Sequence, residues 1–151
     1  DFKIKSAFLV SAPKDRKFFS VSSPTGWINK GVSDMSQIIS SSGTLMYQAL
    51  NSDKVAHGST YEADCSLYCY PNPLTSGMTP TYLVVEATLG NALYYYPVDL
   101  PPMEANKCYN VSLTVCRPGS SSPDVPVEKR DVLFDVQVKP WDGNVTVNEI
   151  I

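Results

Sequence analysis

The sequence predicts an all-β domain, an antiparallel β-sandwich of about seven strands with one long connection carrying short helices. Apolar and polar residues alternate over several short stretches, as expected of half-buried strands. Clusters of Pro, Asn, Gly and Ser separate these stretches and indicate turns. The chain holds 12 Pro, and nine Tyr against five Phe, in 151 residues, which favours strands and turns over a helix bundle. This length suits one domain, so we expect residues 1–151 to form a single sandwich.

The charge balance argues against several classes of partner. Twelve Lys and Arg oppose 15 Asp and Glu, which gives a net charge of −3. Nucleic acid and anionic membranes attract basic proteins, so neither is an expected partner. No apolar run approaches the roughly 18 residues that a membrane-spanning helix needs. The chain opens directly in a strand-like stretch without an initiator Met, so we expect it to be a fragment: a mature protein, a proteolytic product or one domain of a longer protein.

The first third of the sequence predicts two strands and a helical connection. A strand is expected over residues 2–10, where the alternating apolar positions are Phe2, Ile4, Phe8 and Val10. A short second strand is expected over residues 18–21. Ser33 or Asp34 can cap a short helix, and its apolar positions are Met35, Ile38 and Ile39. A further helical turn is expected from the spacing of Leu45, Met46, Ala49 and Leu50.

The remaining sequence predicts strands throughout. One strand is expected over residues 65–70, which end at Pro71. Residues 81–98 read as a β-hairpin, with Gly90 and Asn91 in its tight turn and the glycine free to take a positive φ. Further strands are expected over residues 108–116, 132–138 and 145–151. In the first of these we expect one face to carry Tyr109, Val111, Leu113 and Val115.

Four cysteines leave three states open. Cys65, Cys69, Cys108 and Cys116 are separated by gaps that do not match the C-x2-C pairs of structural zinc sites. Disulfides are possible with an even count, but a chain of this length does not require them. Free, packed thiols are the favoured interpretation, ahead of a disulfide and of zinc.

The sequence gives little support for an enzyme. His57 is the only histidine, and its loop-like surroundings favour an exposed imidazole over a member of a catalytic triad. No nucleophile elbow, phosphate loop or calcium loop is present. Two pairs of nearby carboxylates are the other candidates for catalysis, and solvent-facing strand positions explain them equally well: Glu62 with Asp64, and Asp131 with Asp135. We therefore predict no catalytic residue, no metal ligand and no cofactor.

Tyrosines form the first candidate binding surface. Tyr94, Tyr95 and Tyr96 are consecutive, and Tyr68, Tyr70 and Tyr82 lie on nearby predicted strands. Together they could form an aromatic platform for carbohydrate. Cross-strand packing is the favoured interpretation, because alternating tyrosines on a strand more often pack against a sheet.

The C-terminal segment is the second candidate. After the break at Pro140 and Trp141, an apolar strand-like tail follows, and its apolar positions include Val145, Val147 and Ile151. An unpaired apolar strand at a terminus promotes aggregation unless another strand pairs with it. The tail can fold back on its own sheet, or it can insert into another subunit by strand addition.

Four stretches of the sequence follow one another in a recognisable order: "SLYCYPNP", "TPTYLVVEATLGNALYYYPVDLP", "NKCYNVSLTVCRPGSSSPDVP" and "VLFDVQVKPWDGNVTVNEII". Together they resemble the C-terminal half of the fimbrillins, the FimA-like and Mfa-like type V pilus subunits of Bacteroidetes. The opening "DFKIKSAFLVSAPKDRKFFS" is similar to the first strand of that family's C-terminal domain. The resemblance covers most of the chain and is weakest over residues 30–60. Its motifs are sheet patterns and contain no catalytic signature.

The resemblance implies a fold, a location and a mode of assembly. The fold is the transthyretin-like or Ig-like sandwich of a C-terminal pilin domain, in a lipoprotein exported to the outer membrane and the fimbrium. The expected partners are other pilin subunits, together with surface glycans or proteins of a host or bacterium. Residues 142–151 correspond to a donor strand, and its pocket-filling side chains are Val145, Val147, Ile150 and Ile151. The four cysteines and the short tail depart from the family pattern and leave a tip or accessory subunit open.

Two other functions remain as alternatives. A carbohydrate-binding module would use Tyr94, Tyr95 and Tyr96, or the face of Tyr68 and Tyr70. A small secreted hydrolase would use His57 or a pair of carboxylates.

Overall fold

The computed structural model describes residues 1–13, 27–28, 46–75, 78–123 and 132–140. Within these residues the secondary structure is entirely β, so the predicted fold class is confirmed. The strands of the described part are β1 (Phe2–Val10), β2 (Ala12–Pro13), β3 (Trp27–Ile28), β4 (Tyr47–Ala49), β5 (Tyr82–Leu89), β6 (Ala92–Asp99), β7 (Lys107–Val115) and β8 (Val132–Pro140).

The larger layer of the fold is a four-stranded antiparallel sheet in the order β4-β1-β5-β6. β5 and β6 form the predicted hairpin, in which Leu89 pairs with Ala92 across a two-residue turn. Gly90 takes a φ of 63° in this turn, as expected where a tight hairpin needs a left-handed residue. Val84, Ala87 and Val98 have no exposed surface and form part of the centre of the sheet.

A β-bulge divides β1 into two halves. Even-numbered side chains lie on one face of the sheet before the bulge and on the other face after it. Ile4 pairs with Ala87, but Ser6 already pairs with Glu86, so one extra residue is inserted between them. Phe2 therefore packs beside Tyr96 on one face, while Phe8 packs beside Tyr47 on the other. The simple alternation predicted for Phe2, Ile4, Phe8 and Val10 is wrong, because it places all four on one face.

The second layer consists of β7 and β8, which pair over their full length from Lys107↔Pro140 to Val115↔Val132. Val111 and Val136 of this layer pack against a core cluster containing Leu9 and Leu100. Leu113 and Val115 pack against a second cluster, formed by Ala87 and Tyr96. The predicted face of β7 is confirmed, since its odd-numbered residues are half-buried and its even-numbered residues are exposed.

Two predicted elements differ in the structure. Residues 65–70 belong to no strand, although Cys65, Leu67 and Cys69 are half-buried and the residues between them are exposed. Buried and exposed residues alternate here because the side chains of Leu67 and Cys69 pack against the core. Such packing does not require backbone hydrogen bonds to a neighbouring strand. The helical turn expected at residues 45–50 is wrong as well, because residues 47–49 form β4 and pair with β1. The apolar residues there have only a weak helical spacing, and the backbone pairing with β1 favours a strand more strongly.

Several predicted elements fall outside the described residues. They are the strand at 18–21, the helix carrying Met35, Ile38 and Ile39, and the tail at 145–151.

A buried asparagine ties the loop before β5 to the sheet. The Asn72 side chain is fully buried, and its Nδ2 donates hydrogen bonds to Thr79 O and to Thr81 Oγ1, at 2.8 and 3.0 Å. Thr81 Oγ1 in turn donates to Ser11 O at the end of β1. The backbone of Asn72 pairs with Met103, which fixes the start of residues 72–81 against the segment that follows β6.

Candidate functional site

The two layers of the sandwich are unequally covered. In the four-stranded sheet, Phe8, Val84 and Val98 have no exposed surface. In the sheet of β7 and β8, the core-facing side chains that the structure describes are only half-buried, as at Val111 and Leu113. Val138 lies across from Tyr109 on the same face, yet 43% of its surface is exposed. The layer of β7 and β8 therefore leaves part of its apolar face open.

The outer edges of the two sheets also differ in how much of their backbone is hydrogen-bonded to other segments. Beyond β4, the backbone of β1 is covered by residues 50–55, where Leu50 N and Asn51 N donate to Lys5 O. The outer edge of β6 is covered at Tyr95, which exchanges two backbone hydrogen bonds with Ser120, at 2.8 and 2.9 Å. In the described part of the chain, β7 and β8 have no strand partner except each other. Among these residues, the sheet of β7 and β8 therefore has two outer edges without a strand partner.

β7 carries a protective charge only at its first residue, Lys107. Residues 108–116 contain no charged residue, proline or glycine. Natural edge strands are commonly blunted by charges, prolines or bulges that prevent pairing with another chain. β8 carries such features at Asp135, Lys139 and Pro140. The sequence analysis missed this edge, although an uncharged run of nine strand residues was visible in the sequence.

Gly119 holds the loop after β7 against β6. A Cβ at this position would lie 2.4 Å from Tyr95 O and 2.9 Å from a ring carbon of Tyr96, so only glycine fits without a shift. The Tyr96 hydroxyl donates to Arg117 O at 3.3 Å. Sequence reasoning missed this packing, because a glycine in a Pro-Gly-Ser loop reads as a turn residue.

The donor-strand residues predicted from the sequence lie outside the described part of the chain. These are Val145, Val147, Ile150 and Ile151. In the sequence the tail follows β8, which ends at Pro140.

The three consecutive tyrosines do not share an exposed surface. Tyr95 is 8% exposed and packs with Phe8 and Val84, whereas Tyr96 is 1% exposed and packs with Ala87 on the opposite face. Tyr94 is half-buried beside the Tyr96 cluster. This arrangement agrees with the favoured interpretation, packing, and leaves no platform of Tyr94, Tyr95 and Tyr96 for a sugar.

The exposed tyrosines lie in the segment that follows β4. Tyr68 and Tyr70 expose 47% and 48% of their surface, and Tyr61 exposes 37%. Gln48 of β4 fixes this segment, since its Nε2 donates to Asp64 O at 2.9 Å and its Oε1 accepts from Ser66 N at 3.3 Å. The Tyr68 and Tyr70 face, the second sugar-binding alternative, is therefore held on the surface.

The predicted candidates for catalysis are dispersed. His57 lies in an exposed turn, as expected, and Glu62 and Asp64 are exposed outside any strand. Asp135 is half-buried and accepts a hydrogen bond from Gln137, while Asp131 lies outside the described residues. Within the described residues, no three His, Cys, Asp or Glu side chains are grouped to hold a metal ion. No helix in that part of the chain has the length and apolarity to cross a membrane.

Ser6, Glu86 and Tyr95 lie in register on neighbouring strands, on the face of the four-stranded sheet opposite the layer of β7 and β8. Ser6 Oγ donates to Glu86 Oε2 at 2.6 Å, and Ser6 itself is 1% exposed. Burial, and then the Glu86 carboxylate, raises the pKa of the neighbouring Tyr95 hydroxyl. The cluster contains no histidine or metal ligand set, and it ties β1 to β5.

The four thiols are free, but they fall into two pairs with different surroundings. Cys65 and Cys69 are half-buried, and burial raises the pKa of the Cys69 thiol to about 11, which keeps it protonated and unreactive. Cys108 and Cys116 are exposed on the outward face of β7 and at its end. The expectation that all four thiols are packed is wrong for this second pair, because the alternation of β7 turns them away from the core.

No protein-family model, curated protein or solved structure matched the chain. The fimbrillin resemblance stays a prediction from the sequence.

Proposed function

We propose that this chain is a structural and adhesive subunit of a cell-surface fimbria, and that its subunits join by addition of a β-strand. In this proposal the chain is a domain of an exported lipoprotein at the outer membrane. Its partners are other pilin subunits and surface molecules. The chain carries no catalytic residue and needs no cofactor.

The observation that carries the proposal is the second layer of the sandwich, which has two strands in the described part of the chain. Its described core-facing side chains, such as Val111, Leu113 and Val136, are half-buried, whereas Phe8, Val84 and Val98 of the four-stranded sheet have no exposed surface. An added strand would hydrogen-bond to an open backbone edge and cover this apolar face. Burial of apolar area gives about 25 cal/mol per Å², so cover of a few such side chains favours association by several kcal/mol before entropy is counted.

The tail has the pattern that such a strand needs. Val145, Val147 and Ile151 are spaced by even numbers, so on a strand they share one face, and Ile150 lies on the other. A head-to-tail contact of this kind does not close on itself and generates a filament. The fimbrillin resemblance implies the same mode of assembly.

Removal of the tail tests this proposal. In reducing buffer, where no disulfide can form, the chain without residues 142–151 is expected to fold but to stay monomeric in light scattering at concentrations where the complete chain assembles. Val145→Asp with Val147→Asp should block assembly, because charges then enter apolar pockets. The matched control, Thr146→Asp with Asn148→Asp, places the same charges on the other face and should still assemble. Assembly of the truncated chain would contradict strand donation.

A carbohydrate-binding module remains a second candidate function. It rests on the exposure of Tyr68 and Tyr70, two aromatic side chains held outward on a segment whose Leu67 and Cys69 are anchored in the core. Aromatic rings that keep an apolar face and a polar hydroxyl at the surface are suited to mixed polar and apolar ligands. The nearby carboxylates of Glu62 and Asp64 can accept hydrogen bonds from sugar hydroxyls.

Glycan-array binding separates this candidate from the first. Tyr68→Ala with Tyr70→Ala should remove binding, whereas the control Tyr94→Phe should leave it intact. An array without hits, measured on folded protein, would reject the sugar-binding function and leave the structural one.

A further inference from the structure

In the described part of the chain β7 has no strand partner on its outer edge, and two exposed cysteines, Cys108 near its start and Cys116 directly after its last residue, are placed symmetrically about one residue. Cys108 lies four residues before Ser112, and Cys116 lies four residues after it. Both thiols are free and exposed. Asn110, Ser112 and Thr114 lie on the same outward face and are exposed too.

Within one chain these two thiols cannot meet. Eight residues of strand separate them by roughly 27 Å, at about 3.4 Å per residue. A disulfide needs Cα atoms about 4.4–6.8 Å apart. The two cysteines can therefore reach a partner only in another molecule or on another part of the chain.

Antiparallel pairing of two β7 strands brings them together. If the two-fold axis passes through Ser112, residue 108 of one copy lies opposite residue 116 of the other. Residues directly opposite in an antiparallel pair have Cα atoms about 4.5–5.5 Å apart, within the range for a disulfide. The two-fold symmetry makes the contact reciprocal, so two such pairs form at once.

The chemistry of the edge permits this register. Between the two cysteines the opposed residues are uncharged, with Asn110 opposite Thr114 and Ser112 opposite itself. The first like charges that would face each other are Lys107 of one copy and Arg117 of the other, one residue beyond each cysteine pair. Because Arg117 is exposed, water and salt screen the repulsion between these two charges. A charge-free edge of this length is a template for pairing with another chain.

We propose that β7 pairs antiparallel with β7 of a second copy of this chain, centred on Ser112, and that two reciprocal Cys108–Cys116 disulfides lock the pair. With oxidised glutathione as the oxidant, each disulfide forms as two thiols lose two protons and two electrons. The two electrons and two protons convert one molecule of oxidised glutathione into two molecules of reduced glutathione. The contact goes beyond strand donation, because it is closed, symmetric and independent of the tail.

Single-cysteine variants test the register. The complete chain treated with oxidised glutathione should run as a covalent dimer on non-reducing gels, and mass spectrometry should find the peptide of Cys108 linked to that of Cys116. Cys108→Ser alone and Cys116→Ser alone should each lose the dimer, because the remaining thiol then faces serine. An equimolar mixture of the two variants should restore it through one Cys108–Cys116 bond. A dimer of either variant alone, or a mixture that gives none, would overturn the proposal.

A second pair of variants tests the strand pairing itself. Ser112→Lys places two lysines opposite each other on the axis and should lose the dimer, while the control Ser112→Thr should keep it. Equal dimer yields from both would contradict pairing through β7. Deletion of residues 142–151 should leave the disulfide dimer unchanged even if it stops strand donation. A dimer lost with the tail would assign the contact to the tail and overturn the proposal.

Discussion

The four-stranded sheet and the sheet of β7 and β8 differ in their surroundings. The sheet of β4, β1, β5 and β6 holds core side chains with no exposure, and bonds from Ser120 and residues 50–55 cover its margins. In the sheet of β7 and β8, the described side chains of the inner face are half-buried, and in the described residues its outer edges have no strand partner. The comparison indicates that the first sheet provides most of the stability, while the second is available for association.

The largest expected difference between the sheets concerns removal of one large side chain. Phe8→Ala empties a fully buried site and should lower the free energy of unfolding by about 3–5 kcal/mol. Leu113→Ala removes a half-buried side chain of β7 and should cost about 1–2 kcal/mol, since part of its surface already contacts water. Urea denaturation of the two variants measures both values. Equal losses would show that the two sheets contribute alike.

The cover over the β6 edge depends on Gly119. Gly119→Ala places a Cβ against Tyr95 O and should lower the free energy of unfolding by about 1–3 kcal/mol. The neighbouring control, Ser121→Ala, is exposed and should change stability by less than about 0.5 kcal/mol. Amide exchange at Tyr95 and Ser120 should accelerate in the glycine variant alone. Unchanged exchange there would mean that another contact holds the edge.

Alkaline pH should weaken the core at the point where the two layers meet. Burial raises the pKa of Cys69 from 9.0 to about 11, so the folded chain keeps this proton after the unfolded chain has lost it. The stability from this thiol is complete below pH 9 and declines as the pH rises toward 11, by at most about 1.4 kcal/mol per pH unit. Cys69→Ala should flatten this decline in urea denaturation. Tyr95 and Tyr96, whose pKa values are also raised, remain in both proteins. Parallel curves for the two proteins would argue against burial of this thiol.

The smallest effect is expected at the open end of β8. Val138→Thr should change the free energy of unfolding by less than about 0.5 kcal/mol, because 43% of the side chain is exposed. The same substitution at Val98, which has no exposed surface, buries a hydroxyl and should cost about 1–3 kcal/mol. Thermal denaturation compares the two variants. A large loss at Val138 would show that this end of the sheet is covered.

Sequence patterns predicted the strands whose side chains alternate without interruption. The β5–β6 hairpin and the face of β7 follow directly from period-two alternation and from Gly90. The bulge in β1 was not predictable from the sequence. One inserted residue leaves the composition of the strand unchanged, but it moves the side chains that follow to the opposite face of the sheet. Residues 65–70 show the converse, since alternation alone does not reveal whether a backbone partner is present.

The candidate sites were harder to predict from the sequence than the strands were. The burial of Tyr95 and Tyr96 on opposite faces depends on two different core clusters, and these form from distant parts of the chain. The open edge of β7 depends on how many strands share its sheet, which is a property of topology. The symmetric spacing of Cys108 and Cys116 was present in the sequence, but it acquired meaning only when both were placed on that edge.

Hydrogen exchange of the assembled and monomeric chain tests the central claim most directly. The claim is that association occurs at the layer of β7 and β8, while the four-stranded sheet is already complete. Amides of β7 and β8 should gain protection on assembly, and those of β5 and β6 should keep the protection that they have in the monomer. Protection gained in β4 or β6, or nowhere in the sandwich, would contradict the account.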